Sequence, residues 1–320
     1  MDHVVLTGDR PTGPLHLGHY FGSLANRVRM QDEHRMYVLI ADYQVITDRD
    51  RPGEIQANIT DLLLDYLAVG IDPAKVTIFQ HSALPELNQL MLPFLSLVSV
   101  SELSRNPTVK DEIAHSSQAA VSGLMFTYPV HQAADILFCK GTLVPVGRDQ
   151  LPHVEVTRLV ARRFNERYGE VFPLPEAVMG ERPLLKGLDG GKMSKSRGNA
   201  ITLKATEDET AALIRKARTD AERLITFDEE RRPEVANLLT LAGLCLGRKP
   251  WELADEIGDG GGLALKRLTT DAVNDFLRPI RARRRELSAP DVRRVLEEGN
   301  ARARERAVET LREVRDAMGF

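Results

Sequence analysis

The chain has 320 residues, 42% hydrophobic and 28% charged, with a formal net charge of −3. That length suggests two domains with real cores, and the near-neutral balance excludes a protein that meets nucleic acid through a global positive field, leaving local patches. No apolar stretch is long enough to span a bilayer, the first ten residues lack a signal peptide's basic start and apolar run, and Cys139 and Cys245 form no metal or redox pattern, so a cytoplasmic setting is expected.

In chain order, residues 3–7 (HVVLT) read as a short buried strand. Residues 7–22, TGDRPTGPLHLGHYFG, follow it as a glycine-rich turn leading into a helix over 20–30. Residues 35–41 (RMYVLIA) and 76–79 read as further buried strands. Between them Ile55, Ile59, Leu62, Leu63 and Tyr66 fall at helical spacing, with Asp50 and Pro52 as start signals. A helix is expected over 127–140, a strand over 144–147 and a helix over 154–168. This alternation predicts a Rossmann-like α/β domain, a parallel sheet flanked by helices, with ligands at the carboxyl ends of the strands. After about residue 200 strand signals nearly vanish. Thr206 with Glu209 is a capping box, residues 259–262 (DGGG) mark a turn or joint, and Ser288 with Asp291 opens a long charged helix. The expected division is residues 1–200, α/β, and 201–320, all-helical.

Three constellations carry chemistry. In the first turn, Gly8, Gly13 and Gly18 permit close backbone approach to a ligand, and a helix N-terminus suits phosphate. His16 and His19, spaced H-x-G-H, add imidazole donors there; the alternative is a histidine-bearing cap without chemistry. The second constellation is Lys192-Met193-Ser194-Lys195-Ser196 between glycines, a mobile loop whose lysines can clamp a triphosphate as pyrophosphate leaves. The third is TYPVHQAADILFCK, where Tyr128, Gln132 and Asp135 share one helix face. An aspartate among Ala133, Ala134, Ile136, Leu137 and Phe138 is costly to bury without a partner, and a substrate N–H or O–H is one candidate; an exposed aspartate is the other. Asp149 and Gln150 then stand at a strand end.

His16-Leu17-Gly18-His19 and Lys192-Met193-Ser194-Lys195-Ser196 resemble the paired HIGH-type and KMSKS-type motifs of class I aminoacyl-tRNA synthetases. YPVHQAADILF followed by LVPVGRDQLPHVEVTR resembles the tryptophanyl-tRNA synthetases within that class. Gln44 in ADYQVIT, Gln132 beside AAD, and Asp9-Arg10-Pro11-Thr12 resemble a second, divergent bacterial group of these enzymes. The resemblance implies formation of tryptophanyl-adenylate from tryptophan and ATP with Mg²⁺, then transfer to the 3′ end of tRNA(Trp). It implies catalytic roles for His16, His19, Lys192 and Lys195. It implies ATP contacts from Arg10, Pro11, Thr12, Gly18, Gly147, Arg148, Asp149 and Leu185, and from Met193, Ser194 and Ser196 in the lysine loop. Asp135 is implied to accept the indole N–H, Tyr128 and Gln150 to hold the α-amino group, with Gln132 and Gln44 beside the pocket. It further implies a homodimer whose helical domain reads the anticodon.

The helical half holds one dense basic cluster, Arg278, Arg281, Arg283, Arg284 and Arg285, which reads either as phosphate contacts or as a solvated face. Trp251 reads as a packing residue. No Cys/His spacing suits zinc, so no protein-held metal is expected. Three rivals stay open: a tyrosyl-tRNA synthetase, a non-catalytic paralogue that binds tRNA or protein, and another small-molecule adenylyltransferase.

Overall fold

The computed structural model describes residues 3–46, 54–115, 121–179, 185–191, 193–194 and 197–320. Its sheet has five strands, β1 (Val4–Asp9), β2 (Arg35–Ile40), β3 (Val76–Gln80), β4 (Leu143–Val146) and β5 (Glu176–Met179), all parallel, in the order β3-β2-β1-β4-β5. The chain therefore builds outward from β1 in one direction, then returns to its other side. β1 pairs with β2 over its whole length but with β4 only at Val5–Leu143, near its start. The carboxyl ends of β1 and β4 are therefore not paired with each other, and this switch point is where such sheets hold ligands.

The strands form where apolar residues run without alternation, because helices cover both faces of the sheet. β2 is buried at five of its six positions. Four expected strands are present, each within two residues of its predicted ends. β5 escaped prediction because it is four residues long and exposed at both ends.

The helix expected over 20–30 begins earlier, as α1 (Leu17–His19), a π turn (Tyr20–Leu24) and α2 (Ala25–Met30). π turns concentrate at functional sites. α3 (Ile55–Val69) buries Ile59, Leu62, Leu63 and Tyr66 as the periodicity predicts and stops at Gly70, whose φ of 104° is the left-handed cap a glycine supplies. The start signals Asp50 and Pro52 lie outside the described residues. α4 (Pro85–Leu95), α5 (Val100–Arg105) and α6 (Pro107–His115) lead to α7 (Gly123–Leu137) and α8 (Leu151–Tyr168).

The second half is helical: α9 (Glu207–Arg215), α10 (Pro233–Leu246), α11 (Pro250–Ile257), α12 (Gly261–Glu286) and α13 (Ala289–Met318). The capping boxes at Thr206 and Ser288 form as the sequence predicts. The DGGG stretch is a tight 3₁₀ turn, Gly258–Gly260, running directly into α12. The last helix does not stay with this half. α13 lies on β3 so closely that a Cβ at Gly299 would stand 1.8 Å from the Ile78 carbonyl oxygen. Ala303, Ala307, Leu311 and Val314 of α13 share one buried cluster with Leu39 and Phe79. Among the described residues, no helix is long and apolar enough to cross a membrane.

Candidate active site

A cleft of about 760 Å³ opens at the switch point between β1 and β4. His16, Gly18 and His19 form one wall, Tyr128, Gln132 and Asp135 of α7 another, and Gly147, Arg148, Asp149 and Gln150 the rim beyond β4. Arg10, Gln44, Leu185 and Met193 line it too. A more open hollow of about 700 Å³ between α5 and α8, lined by Glu102 and Arg163 among others, holds none of these groups. Of the sequence-derived ATP contacts, Pro11, Thr12 and Ser194 stand off the cleft wall. Pro11 is buried, and the Ser194 N–H donates instead to Asn199 Oδ1 at 2.7 Å. Lys192, Lys195 and Ser196 lie outside the described residues.

The first signature is held by its own histidines. The His16 backbone N–H donates to His19 Nδ1 at 3.1 Å, and the two rings lie 3.8 Å apart. With Nδ1 accepting, a neutral His19 carries its proton on Nε2, where it is a donor. The segment that follows the second signature is tied to the first through backbone. Leu17 N–H donates to Ile201 O at 3.0 Å and Leu203 N–H to Leu15 O at 2.9 Å, with an antiparallel bridge between His16 and Thr202. Gly18 makes the crossing close: a Cβ there would press on the His16 ring and Met193 Sδ, each at 3.0 Å, and both would have to shift.

Beneath the turn lies a buried ion pair that sequence reasoning missed. Asp9, at the end of β1, pairs with Arg27 of α2 and accepts the Tyr66 hydroxyl at 2.6 Å. Burial alone would raise the Asp9 carboxyl, but the charge and hydrogen bonds of Arg27, with Tyr66, outweigh it and hold it at about 2. Arg27 also donates to Gly8 O at 3.2 Å, so the pair fixes the strand end carrying the glycine turn.

On the α7 wall, Tyr128 Oη stands 2.7 Å from His153 Nε2. Burial pushes the His153 imidazole down to about 4, so it is neutral at pH 7. A neutral His153 can accept a hydrogen bond from the Tyr128 hydroxyl through Nε2. Asp135 is wholly buried, as half of the sequence reading required. His81 Nε2 comes within 2.8 Å of Asp135 Oδ1, a contact that reading lacked, but the two are not aligned as a hydrogen bond. Both oxygens of Asp135 are buried without a hydrogen-bond partner among the described residues.

His81, His131 and Asp135 also bring one potential ligand atom each within 4.8 Å of one another. The expectation of no protein metal was drawn from local spacing, which cannot see such a group assembled from β3 and α7. His131 Nε2 is already engaged by Asn88 Oδ1 at 3.1 Å. Burial lowers the His131 imidazole, with the nearby His81 adding to this and Asp135 opposing it.

The arginine cluster is divided: Arg281 is buried and Arg284 partly buried, while Arg278, Arg283 and Arg285 are exposed. Arg281 donates to Thr210 Oγ1 at 2.8 Å, Arg283 to Ala68 O at 2.6 Å and Arg284 to Asp61 Oδ1 at 2.6 Å. These three dock α12 onto α3 and α9, because their long stems reach backbone and carboxylate acceptors across the helix interface. Arg278 pairs with Asp275 at the surface, 2.6 Å away. Trp251 is a second correction: it is 52% exposed, with Phe227 beside it and the Lys249 ammonium over its ring.

The family model for class I tRNA synthetases of the W and Y type matches residues 2–278. The tryptophan--tRNA ligase of Clostridium longisporum is 42% identical, over 99% of this chain and 97% of its own length. That of Treponema pallidum (strain Nichols) is 42% identical over 99% and 96%. Among solved structures, the Campylobacter jejuni tryptophanyl-tRNA synthetase complexed with ADP and tryptophan superposes with a TM-score of 0.88 at 31% identity, covering 99% of this chain and all of that one.

Proposed function

The chain belongs to the class I tRNA synthetases for tryptophan and tyrosine and activates tryptophan with ATP for transfer to tRNA, and from this premise we propose how its cleft divides that work. The observation that carries the assignment is Asp135, buried on the cleft wall with both carboxylate oxygens lacking a hydrogen-bond partner among the described residues. An unpaired buried acceptor is costly, and an indole N–H satisfies it; phenylalanine leaves the cost in place. Tyr128 and Gln150 take the α-amino group, while Gln132 and Gln44 border the side-chain pocket.

His16 and His19 hold the phosphates of ATP from the first signature. Arg10, Gly18 and the 147–149 rim contact the nucleotide, and Leu185 and Met193 pack beside it. Lys192 and Lys195 stabilise the leaving pyrophosphate, and Mg²⁺ shares that charge. The helical half, roughly residues 201–320, meets tRNA(Trp), with Arg278 and Arg285 as its outward basic groups. The enzyme works in the cytoplasm as a homodimer. The projecting side chains of Leu92 and Val100, 73% and 72% exposed on neighbouring helices, support such an interface.

ATP–pyrophosphate exchange with each of the twenty amino acids tests the substrate. Tryptophan alone should drive rapid exchange, with phenylalanine rejected on the order of 10⁴-fold. Asp135→Ala should lose tryptophan activation and much of that rejection while remaining folded. Tyrosine driving exchange as well as tryptophan does would defeat the assignment.

A further inference from the structure

We propose that Asn199 is the positioning residue of the lysine loop: its side chain ties the Ser194 peptide to Asp189 across the loop, and so presents the loop's cationic groups to the leaving pyrophosphate. The inference rests on the role given above to Lys192 and Lys195. Asn199 is 4% exposed, and the two ends of its amide do different work. Oδ1 accepts the Ser194 N–H at 2.7 Å, and Nδ2 donates to Asp189 Oδ1 at 2.7 Å. A backbone N–H needs an acceptor and a carboxylate needs a donor, so this orientation of the amide serves both. Asp189 Oδ1 also accepts the Gly191 N–H at 3.0 Å. The bonds from Asn199 and then Gly191 favour the charged carboxylate and hold Asp189 below its ordinary range.

The amide is carried on a fixed point of the backbone. Asn199 O accepts the Leu188 N–H at 3.0 Å, which closes the arm before the loop on the arm after it. Two residues on, Ile201 O accepts the Leu17 N–H inside the first signature. Asn199 therefore sets the Ser194 peptide at a defined distance from the histidine turn. Ser194 stands two residues after Lys192 and next to Lys195 in the sequence, so a tie on its peptide holds the stretch that carries both.

The need for a tie follows from the glycines. Gly190 and Gly198, with φ of 83° and 63°, bracket the loop with residues of wide backbone freedom. Cations lower a barrier most when they are in place before the charge develops, and a freely turning loop would have to be ordered at that moment. Gly187 is fitted to the same amide. No positive φ requires glycine there, but a Cβ would lie 2.2 Å from Asn199 Nδ2. What Gly187 supplies is the room that the amide fills.

The test measures single-turnover formation of tryptophanyl-adenylate from tryptophan and Mg²⁺·ATP. Beside it are measured tryptophan affinity and the transfer of tryptophan from preformed adenylate to tRNA(Trp). Asn199→Ala should slow adenylation roughly 10- to 100-fold, the scale of a lost positioning hydrogen bond. Tryptophan affinity and transfer from the adenylate should change less than about threefold, because neither involves pyrophosphate. A merely destabilised protein would lose both steps alike. Gly187→Ala keeps Asn199 but sets a methyl against its amide, and should slow adenylation while sparing transfer in the same way. Asn199→Ala added to Lys195→Ala should slow adenylation far less than the product of the two single losses, since a group that acts through the lysine then has little left to act on. Normal adenylation in Asn199→Ala or Gly187→Ala, equal losses in adenylation and transfer, or losses that multiply with Lys195→Ala would each overturn the proposal. Normal adenylation in Lys195→Ala would instead remove the pyrophosphate role of the loop on which it rests.

Discussion

Arg284→Gln separates the two roles the arginine cluster can have. Arg284 of α12 reaches α3, with Nη2 at 2.6 Å from Asp61 Oδ1 and Nη1 at 3.3 Å from Asp65 Oδ1. Asp65 is wholly buried, and its Oδ2 accepts the Leu15 N–H at 2.9 Å, one residue before His16. Burial raises the Asp65 carboxyl from its ordinary 3.8 to about 6, with the charge of Arg284 and the Leu15 N–H opposing that rise. The cost of ionising Asp65 in the folded state is therefore absent below pH 3.8, accumulates as pH rises towards 6, and is constant above. Removing Arg284 moves the folded carboxyl further up, so the cost grows only where the wild-type group is charged. At pH 8 the variant should lose about 3 kcal/mol, the cost of breaking one side of a buried pair. At pH 5, with Asp65 protonated in both proteins, only the half-exposed Asp61 contact is lost, about 0–1 kcal/mol. Urea unfolding at the two pH values measures the difference, and Asp65→Asn with Arg284→Gln should recover most of the loss at pH 8. An equal loss at both pH values would show that Arg284 supports the fold without Asp65, and no loss at pH 8 with weakened tRNA binding would return it to the tRNA surface.

Lys195→Ala should lower kcat for adenylate formation about 10²-fold with a smaller change in the tryptophan KM, and normal single-turnover adenylation would exclude Lys195 from pyrophosphate departure. Gly18→Ala should cut kcat/KM for ATP by more than about tenfold, because the new methyl pushes the His16 ring and Met193 apart; unchanged exchange kinetics would show that the crossing yields freely. Zinc removed by chelation should leave full activity once Mg²⁺ is restored, and a requirement for added zinc would argue for an ion among His81, His131 and Asp135. Arg278→Gln with Arg285→Gln should weaken tRNA binding and flatten its salt dependence while pyrophosphate exchange persists; unaltered tRNA affinity would leave both as solvent-facing charges.

The readings that succeeded rest on local rules. A run such as RMYVLI is a strand buried on both faces wherever it occurs, and Thr206 with Glu209 caps a helix using only neighbouring backbone. Tyr128, Gln132 and Asp135 could be placed on one face because helical spacing fixes it, and all three line the cleft. What stayed hidden depends on contacts between distant segments. The arginines from 278 to 285 look like a basic patch because their acceptors, Ala68, Asp61 and Thr210, lie on other helices. α13 reads as part of a separate helical domain, and only the packing of Gly299 on Ile78 shows it to be a cover for the sheet.

One missed group did leave a signal in the sequence. The residues that close the buried strands on the cleft side are polar: Asp9 ends β1, Asp42 follows β2 by two positions, and His81 follows β3 directly. Apolar runs of this kind need no polar terminus for packing, and each such group must find a partner or a ligand. Asp9 finds Arg27, Asp42 holds the backbone of Tyr43 and Ser82, and His81 finds Asp135. In a parallel sheet these three ends face the same side, so their spacing along the chain is irrelevant to their meeting. A search for polar residues one or two positions beyond each buried strand would have named His81 beside the α7 aspartate before any coordinates. It would not have shown that both oxygens of Asp135 stay without a hydrogen-bond partner among the described residues, which is the feature that points to a ligand.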